Sequence, residues 1–191
     1  MDRTTQRLVA AGAIIAPSLH TLTDGMEWLH GGFSPVQLWL NYFAFLPLPA
    51  IILGLYAIQR PRIAHLGLFG ALLYGFSFIY FTHTTLVALT QQTPTYDQLW
   101  ANLGQVYTAH GVLMIIGGAC FRWATARAGV LPQWTAWLFL SGLAVNLVLG
   151  MLPVPDALQI IGTTLRNAGL VGMGWSACRG PIPKASGLTS A

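Results

Sequence analysis

Residues 63–89 read IAHLGLFGALLYGFSFIYFTHTTLVAL, a run of 27 residues that contains no Asp, Glu, Lys or Arg. The hydrocarbon core of a bilayer is about 30 Å thick and an α-helix rises about 1.5 Å per residue, so roughly 20 apolar residues cross it. This run exceeds that length, which implies a helix that tilts or extends beyond the lipid. It shows none of the apolar–polar alternation of a barrel strand, and a transmembrane β-barrel is disfavoured.

Five more segments have the same character: 8–29, 36–58, 101–121, 134–152 and 157–178. The fold expected is all-α, a polytopic integral membrane bundle of six transmembrane helices in one domain, 1–178. A Gly-, Pro- and Ser-containing cytoplasmic tail, 179–191, is expected to be disordered. The first segment resembles a signal peptide, with Arg3 and Arg7 before the apolar run 8–16. Its continuation to residue 29 makes it an uncleaved first span. Pro47 and Pro49 predict a kink in the second, and a polar loop is expected over 90–100.

Composition agrees. Of 191 residues, 54% are hydrophobic and 7% charged, whereas a soluble domain carries about 25% charged residues to face water. The net charge is +4, but the basic residues lie in short clusters between apolar runs, so topology accounts for them and nucleic acid is not an expected partner. Arg3 and Arg7 precede the first span, Arg60 and Arg62 separate the second and third, Arg122 and Arg127 the fourth and fifth, and Arg179 and Lys184 follow the sixth. These are alternate connections. The opposite side carries Asp24, Glu27, Asp97 and Asp156. By the positive-inside rule both termini are cytoplasmic, in a membrane of the bacterial cytoplasmic type, with the 90–100 and 153–156 connections outside. Cys120 and Cys178 fall at cytoplasmic ends, where thiols stay reduced and no disulfide is expected.

Gly67, Ala71 and Gly75 recur every four residues, and Gly142 and Gly150 flank Asn146; small residues so spaced let helices approach closely in lipid. No internal repeat of the kind common in transporters is visible. P-loop, GxSxG, HExxH and GxGxxG motifs are absent from suitable contexts, which sets aside nucleotide hydrolysis and serine or zinc hydrolase chemistry.

Ionisable groups at membrane depth are expensive, about 2.5–3.5 kcal/mol each on the mildest scale, and they mark function or pairing. His20, Asp24 and Glu27 follow an i, i+4, i+7 spacing on one helical face. Counting from the outer ends, His20 lies about 13 Å deep, Asp24 about 7 Å, His83 about 9 Å, His110 about 13 Å, Asn146 about 9 Å and Arg166 about 14 Å. Gln159 and Thr163 share the face of Arg166. His30 and His65 fall near the interfaces and read as solvated. The matching depths predict one polar cavity in the outer half of the bundle, shared by four helices. Phe76 and Tyr80 share a face with His83 and, with Trp39, are candidates for an aromatic wall against a hydrophobic ligand.

Three readings compete with an inert ion-pair network. The first is a membrane-embedded enzyme acting by acid–base chemistry on a lipid-like or isoprenoid substrate, in the manner of an isomerase or cyclase. Asp24, Glu27, His20, His83 and His110 would be its catalytic groups, with Arg166, Asn146, Phe76, Tyr80 and Trp39 binding substrate. It needs no cofactor, and its partners are membrane lipids and a hydrophobic small molecule. The second is a haem b or transition-metal protein ligated through His83, His110 and His20. The third is a small transporter or a structural membrane subunit.

Overall fold

A computed structural model describes residues 1–152, 154–155 and 158–180, and within them every regular element is helical. Chain order is α1 (Arg3–His30), α2 (Pro35–Phe45), α3 (Leu48–Ile58), α4 (His65–Gln91), α5 (Tyr96–Ala128), α6 (Gln133–Met151) and α7 (Gln159–Arg179). The expectations for Asp156, for the 153–156 connection, for Lys184 and for the tail beyond residue 180 fall wholly or partly outside the described residues.

Local chemistry sets the helix ends. The Asp2 carboxylate accepts from the Thr5 N–H at 2.7 Å, which caps α1 and holds the Asp2 carboxyl below its usual range. Ser34 caps α2 by accepting from the Gln37 N–H at 3.3 Å, with Pro35 in the first turn. Gly31 closes α1 at φ 70° and Gly129 closes α5 at φ 61°, the left-handed geometry that a glycine adopts without strain. The kink predicted from Pro47 and Pro49 separates α2 from α3, because a proline ring removes an N–H and crowds the preceding turn. Pro17, by contrast, lies inside an unbroken α1.

The connection between α4 and α5 is shorter than expected. Instead of a polar connection over 90–100, helix resumes at Tyr96, and only residues 92–95 link α4 to α5. The fourth span, expected at 101–121, is part of a 33-residue helix that breaks at Gly104 (φ 57°, ψ −137°) and runs on to Ala128. Arg122, expected in a connection, is consequently inside α5 and buried.

Neighbours in sequence are neighbours in space, and α1 packs on α7 to close the ring. Glycines set the tightest crossings. A methyl on Gly70 would meet the backbone of Gly117 and Phe121, and one on Gly117 the backbone of Tyr74 and Gly70, so α4 and α5 touch main chain to main chain. Gly142 likewise faces the backbone of Gly162 and Arg166 on α7. The Gln6 amide donates to the Ala177 carbonyl at 2.6 Å, and the Gln59 amide to the Thr125 hydroxyl at 3.2 Å. With Gly54 against Val9, these contacts gather Arg3, Arg7, Arg60, Arg62, Arg122, Arg127 and Arg179 at one end of the bundle.

Among the described residues, four segments are long and apolar enough to cross a membrane: Pro35–Ile58, His65–Gln91, Tyr96–Ala128 and Gln133–Met151. On α1 and α7, His20, Thr23, Thr163, Arg166 and Asn167 are instead buried. Leu8, Ile15, Leu22 and Leu29, spaced by seven, form an exposed apolar stripe down α1. Large apolar side chains exposed along the helices, beside a core that is mainly apolar and holds a buried polar cluster, are unusual for a water-soluble domain.

Candidate functional site

At the end of the bundle opposite the arginines lies a cavity of about 720 Å³, bordered by side chains of α1, α2, α4, α5, α6 and α7. That volume falls within the range of small-molecule sites. Its inner wall is aromatic and apolar, from Phe45, Phe78, Phe81, Met114 and Ile115, and its ionisable groups include His20, Asp24 and Glu27 of α1 and Arg166 of α7.

Three of those groups form a line. His20 Nε2 lies 3.4 Å from Asp24 Oδ1, and a terminal nitrogen of Arg166 lies 3.4 Å from His20 Nδ1. A guanidinium has donors only, so Nδ1 must accept and carries no proton. The proton is then on Nε2, the nitrogen that faces the Asp24 carboxyl group at 3.4 Å. The order is Asp24 carboxyl, neutral imidazole, Arg166 guanidinium. All three border the cavity, but His20 is 6% exposed and Arg166 4%, whereas the Asp24 side chain is 19% exposed. Asp24 is therefore the member open to a ligand.

Rings fix this line in place. Phe45 meets His20 edge to face at 4.5 Å and Phe78 at 5.3 Å. The Arg166 guanidinium stands 5.7 Å above the Phe78 ring, and its other terminal nitrogen reaches Met114 Sδ at 3.5 Å. Arg166 Nε finds no partner among the described residues. Glycine places the arginine, because a side chain at Gly142 would displace the backbone of Arg166 itself.

A second polar layer ties the helices together. Asn146 donates to the Thr163 hydroxyl at 3.3 Å, and Thr163 is also within hydrogen-bond reach of Asp24. With its amide turned, Gln159 donates to the Asn146 carbonyl at 3.3 Å and accepts from the Gly150 N–H at 2.9 Å. Asn167 donates to Thr21 at 3.0 Å. Thr23 donates to Asn41 at 3.2 Å, and Asn41 itself borders the cavity.

The end of the cavity away from the arginine cluster is covered by the stretch of α5 before its break. Tyr96, Leu99 and Trp100 all border the cavity, and the Trp100 indole donates to Thr108 at 3.0 Å across Gly104. The Phe33 N–H donates to the Pro94 carbonyl at 2.7 Å and fastens the α1–α2 turn to the same edge. Tyr107 packs among Phe81, Tyr96 and Trp100 at 5.3, 5.8 and 6.5 Å and lies within electrostatic reach of Glu27.

Of the residues expected to share this cavity, His20, Asp24, Glu27, Asn146 and Arg166 border it, whereas His83, His110, Phe76, Tyr80 and Trp39 do not. His83 is exposed on the outside of α4. His110 is stacked on Tyr80 at 3.8 Å and near Phe76 at 5.6 Å, with Nδ1 2.8 Å from the Val106 carbonyl. Phe76 and Tyr80 therefore cover a histidine rather than wall the ligand space. Trp39 packs on Tyr42 and Phe43 and stays half exposed. The shared-cavity expectation is corrected for all five, because equal depth does not fix which way a helix face turns. Neither His83 nor His110, the pair expected as axial haem ligands, borders this cavity. Among the described residues no cluster of three or more His, Cys, Asp or Glu is placed to hold a metal. Asn41, Phe45, Phe78 and Tyr107 are site residues that the depth argument did not single out. Comparison with protein-family models, curated proteins and solved structures gave no match.

Proposed function

We propose that this chain is a membrane-embedded enzyme that performs acid–base chemistry on a lipid-like or isoprenoid substrate, as an isomerase or cyclase does. The observation that carries the reading is the Asp24–His20–Arg166 line, its carboxylate end facing an aromatic cavity of about 720 Å³. Asp24 exchanges the proton with the substrate. His20 holds that carboxylate through Nε2–H, and Arg166 fixes the tautomer of His20 from behind. Neither residue behind Asp24 needs to touch the substrate. Phe45, Phe78 and Phe81 offer π faces that stabilise positive charge developing on a hydrocarbon. Glu27 and Asp97, nearer the mouth, add negative potential on the same path.

In the same reading the chain crosses the membrane six times, with both termini at the cytoplasmic, arginine-bearing end. Support comes from the exposed stripe on α1 and from the buried polar side chains of α1 and α7, which lower the hydropathy of these helices without exposing charge to lipid. Membrane lipids and a hydrophobic small molecule are then its partners, and the cavity opens in the outer half of the bilayer.

The test is turnover. Purified protein reconstituted with membrane-lipid and isoprenoid fractions is expected to convert one component to an isomer of unchanged mass, resolved by chromatography and mass spectrometry. Asp24→Asn is expected to abolish that conversion. An Asp24→Asn protein that converts the component at the wild-type rate would overturn the assignment and leave the line as a structural ion network.

A further inference from the structure

The arginine-bearing end holds a smaller cavity of about 290 Å³, lined by Arg122, Trp123, Ala126, Arg127, Gln133 and Trp137. Arg122 is 4% exposed, and its Nε is fully buried without a hydrogen-bond partner among the described residues. Its guanidinium lies 3.6 Å above the Trp137 ring, and no described carboxylate forms an ion pair with it. A cation–π contact offsets only part of the cost of burying a charge. The site needs an anion.

Its surroundings suit one kind of anion. Arg127, five residues further along α5, borders the same cavity and lies 5.5 Å from the Trp123 ring. Gln133 opens α6, whose first N–H groups have no side-chain cap. Two guanidiniums beside a helix N-terminus match the charge and tetrahedral oxygens of a phosphate. Trp123 and Trp137 are half exposed at the cavity rim, as indoles are at the headgroup level of a bilayer. We propose that this cavity is a binding site for an anionic phosphate group, that of a phospholipid headgroup, gripped by Arg122 and Arg127. It is separate from the Asp24 cavity and does not depend on what that cavity does.

The protein in uncharged detergent is titrated with phosphatidylglycerol, with phosphatidylcholine and with inorganic phosphate, following its melting temperature. Bound lipid is counted by native mass spectrometry. Phosphatidylglycerol is expected to raise the melting temperature by about 3 °C or more and to remain as one bound lipid, with phosphatidylcholine giving a smaller rise. An equal rise with inorganic phosphate alone would keep the phosphate site and overturn the lipid as its source. Arg122→Gln is expected to lose the response and, without lipid, to melt at or above wild type, because an uncompensated buried charge has gone. Should that variant fail to fold, Arg127→Gln, at an exposed residue, is expected to weaken the response severalfold with lipid-free melting unchanged. A wild-type response in the folded Arg122→Gln protein, or in Arg127→Gln where it is the variant used, would overturn the proposal, as would no response to either source in wild type.

Discussion

An imidazole between a carboxylate and a guanidinium satisfies both neighbours with one proton placement, on the nitrogen facing the carboxylate. That makes Asp24, His20 and Arg166 one unit, even though no direct contact joins the two charged ends. Asp24→Asn and Arg166→Gln are each expected to destabilise the detergent-solubilised protein by about 3–5 kcal/mol, because each leaves a buried charge uncompensated. The double variant is expected to recover at least about 1 kcal/mol relative to additivity. Strict additivity in the denaturation midpoints would mean that the line carries no coupling. The i, i+4 spacing of His20 and Asp24 and the depth of Arg166 were readable from the chain, since helical rise converts sequence distance directly into depth. Rotation about the helix axis was harder to read. At about 100° per residue, His83 lies about 80° round from Gly75 and Phe76 about 100°. The stripe Gly67, Ala71, Gly75 marks one buried face but does not say which neighbours enter the cavity, since Thr84, about 180° round from Gly75, borders it. His110 similarly follows Tyr107 by three residues but precedes Gly111 by one, and it is Tyr107 and Gly111 that border the cavity.

Among the helices, α5 departs most from its reading. A polar, aromatic stretch with Thr95, Asp97 and Gln98 reads as loop by composition, yet Thr95 caps it as a helix, its hydroxyl accepting from the Gln98 N–H at 3.4 Å. The break then falls at the one residue able to adopt φ 57°, ψ −137°. Gly104→Ala meets no neighbouring atom within 4 Å, so its penalty is conformational alone, about 1–3 kcal/mol. It is expected to realign the first turns of α5 and expose the cavity, seen as increased quenching of Trp100 by an aqueous quencher against a background of the other tryptophans replaced. Glycines elsewhere separate by mechanism. Gly142→Ala forces α6 away from the α7 backbone and is expected to cost about 2–3 kcal/mol. Gly25→Ala, where nothing lies within 4 Å, is expected to stabilise α1 by about 0.5–1 kcal/mol. A destabilised Gly25→Ala with an unaffected Gly142→Ala would contradict the packing described.

Over the whole molecule, large apolar side chains are exposed along the helices, and this was legible from composition because too few charged residues exist to cover the surface. Charge placement carried the topology reading for the same reason. Six crossings predict that Gln91→Cys labels from the outside, whereas native Cys178, exposed at the arginine end, labels only after permeabilisation. Thr93, an attractive position in the outer connection by sequence, is buried and is unsuited as a probe. Equal labelling of both positions in intact cells would refute the six-span arrangement. The account rests on the Asp24 cavity as a ligand site within that arrangement. An experimental structure of wild-type protein purified from its membrane and crystallised in a lipid mesophase tests it most directly. The expected result is elongated non-protein density along Phe45, Phe78 and Phe81, with a polar end within about 3.5 Å of Asp24 and Arg166 behind His20. Apolar side chains packed between Asp24 and the aromatic wall, with no connected space at the end of the bundle opposite the arginines, would contradict it.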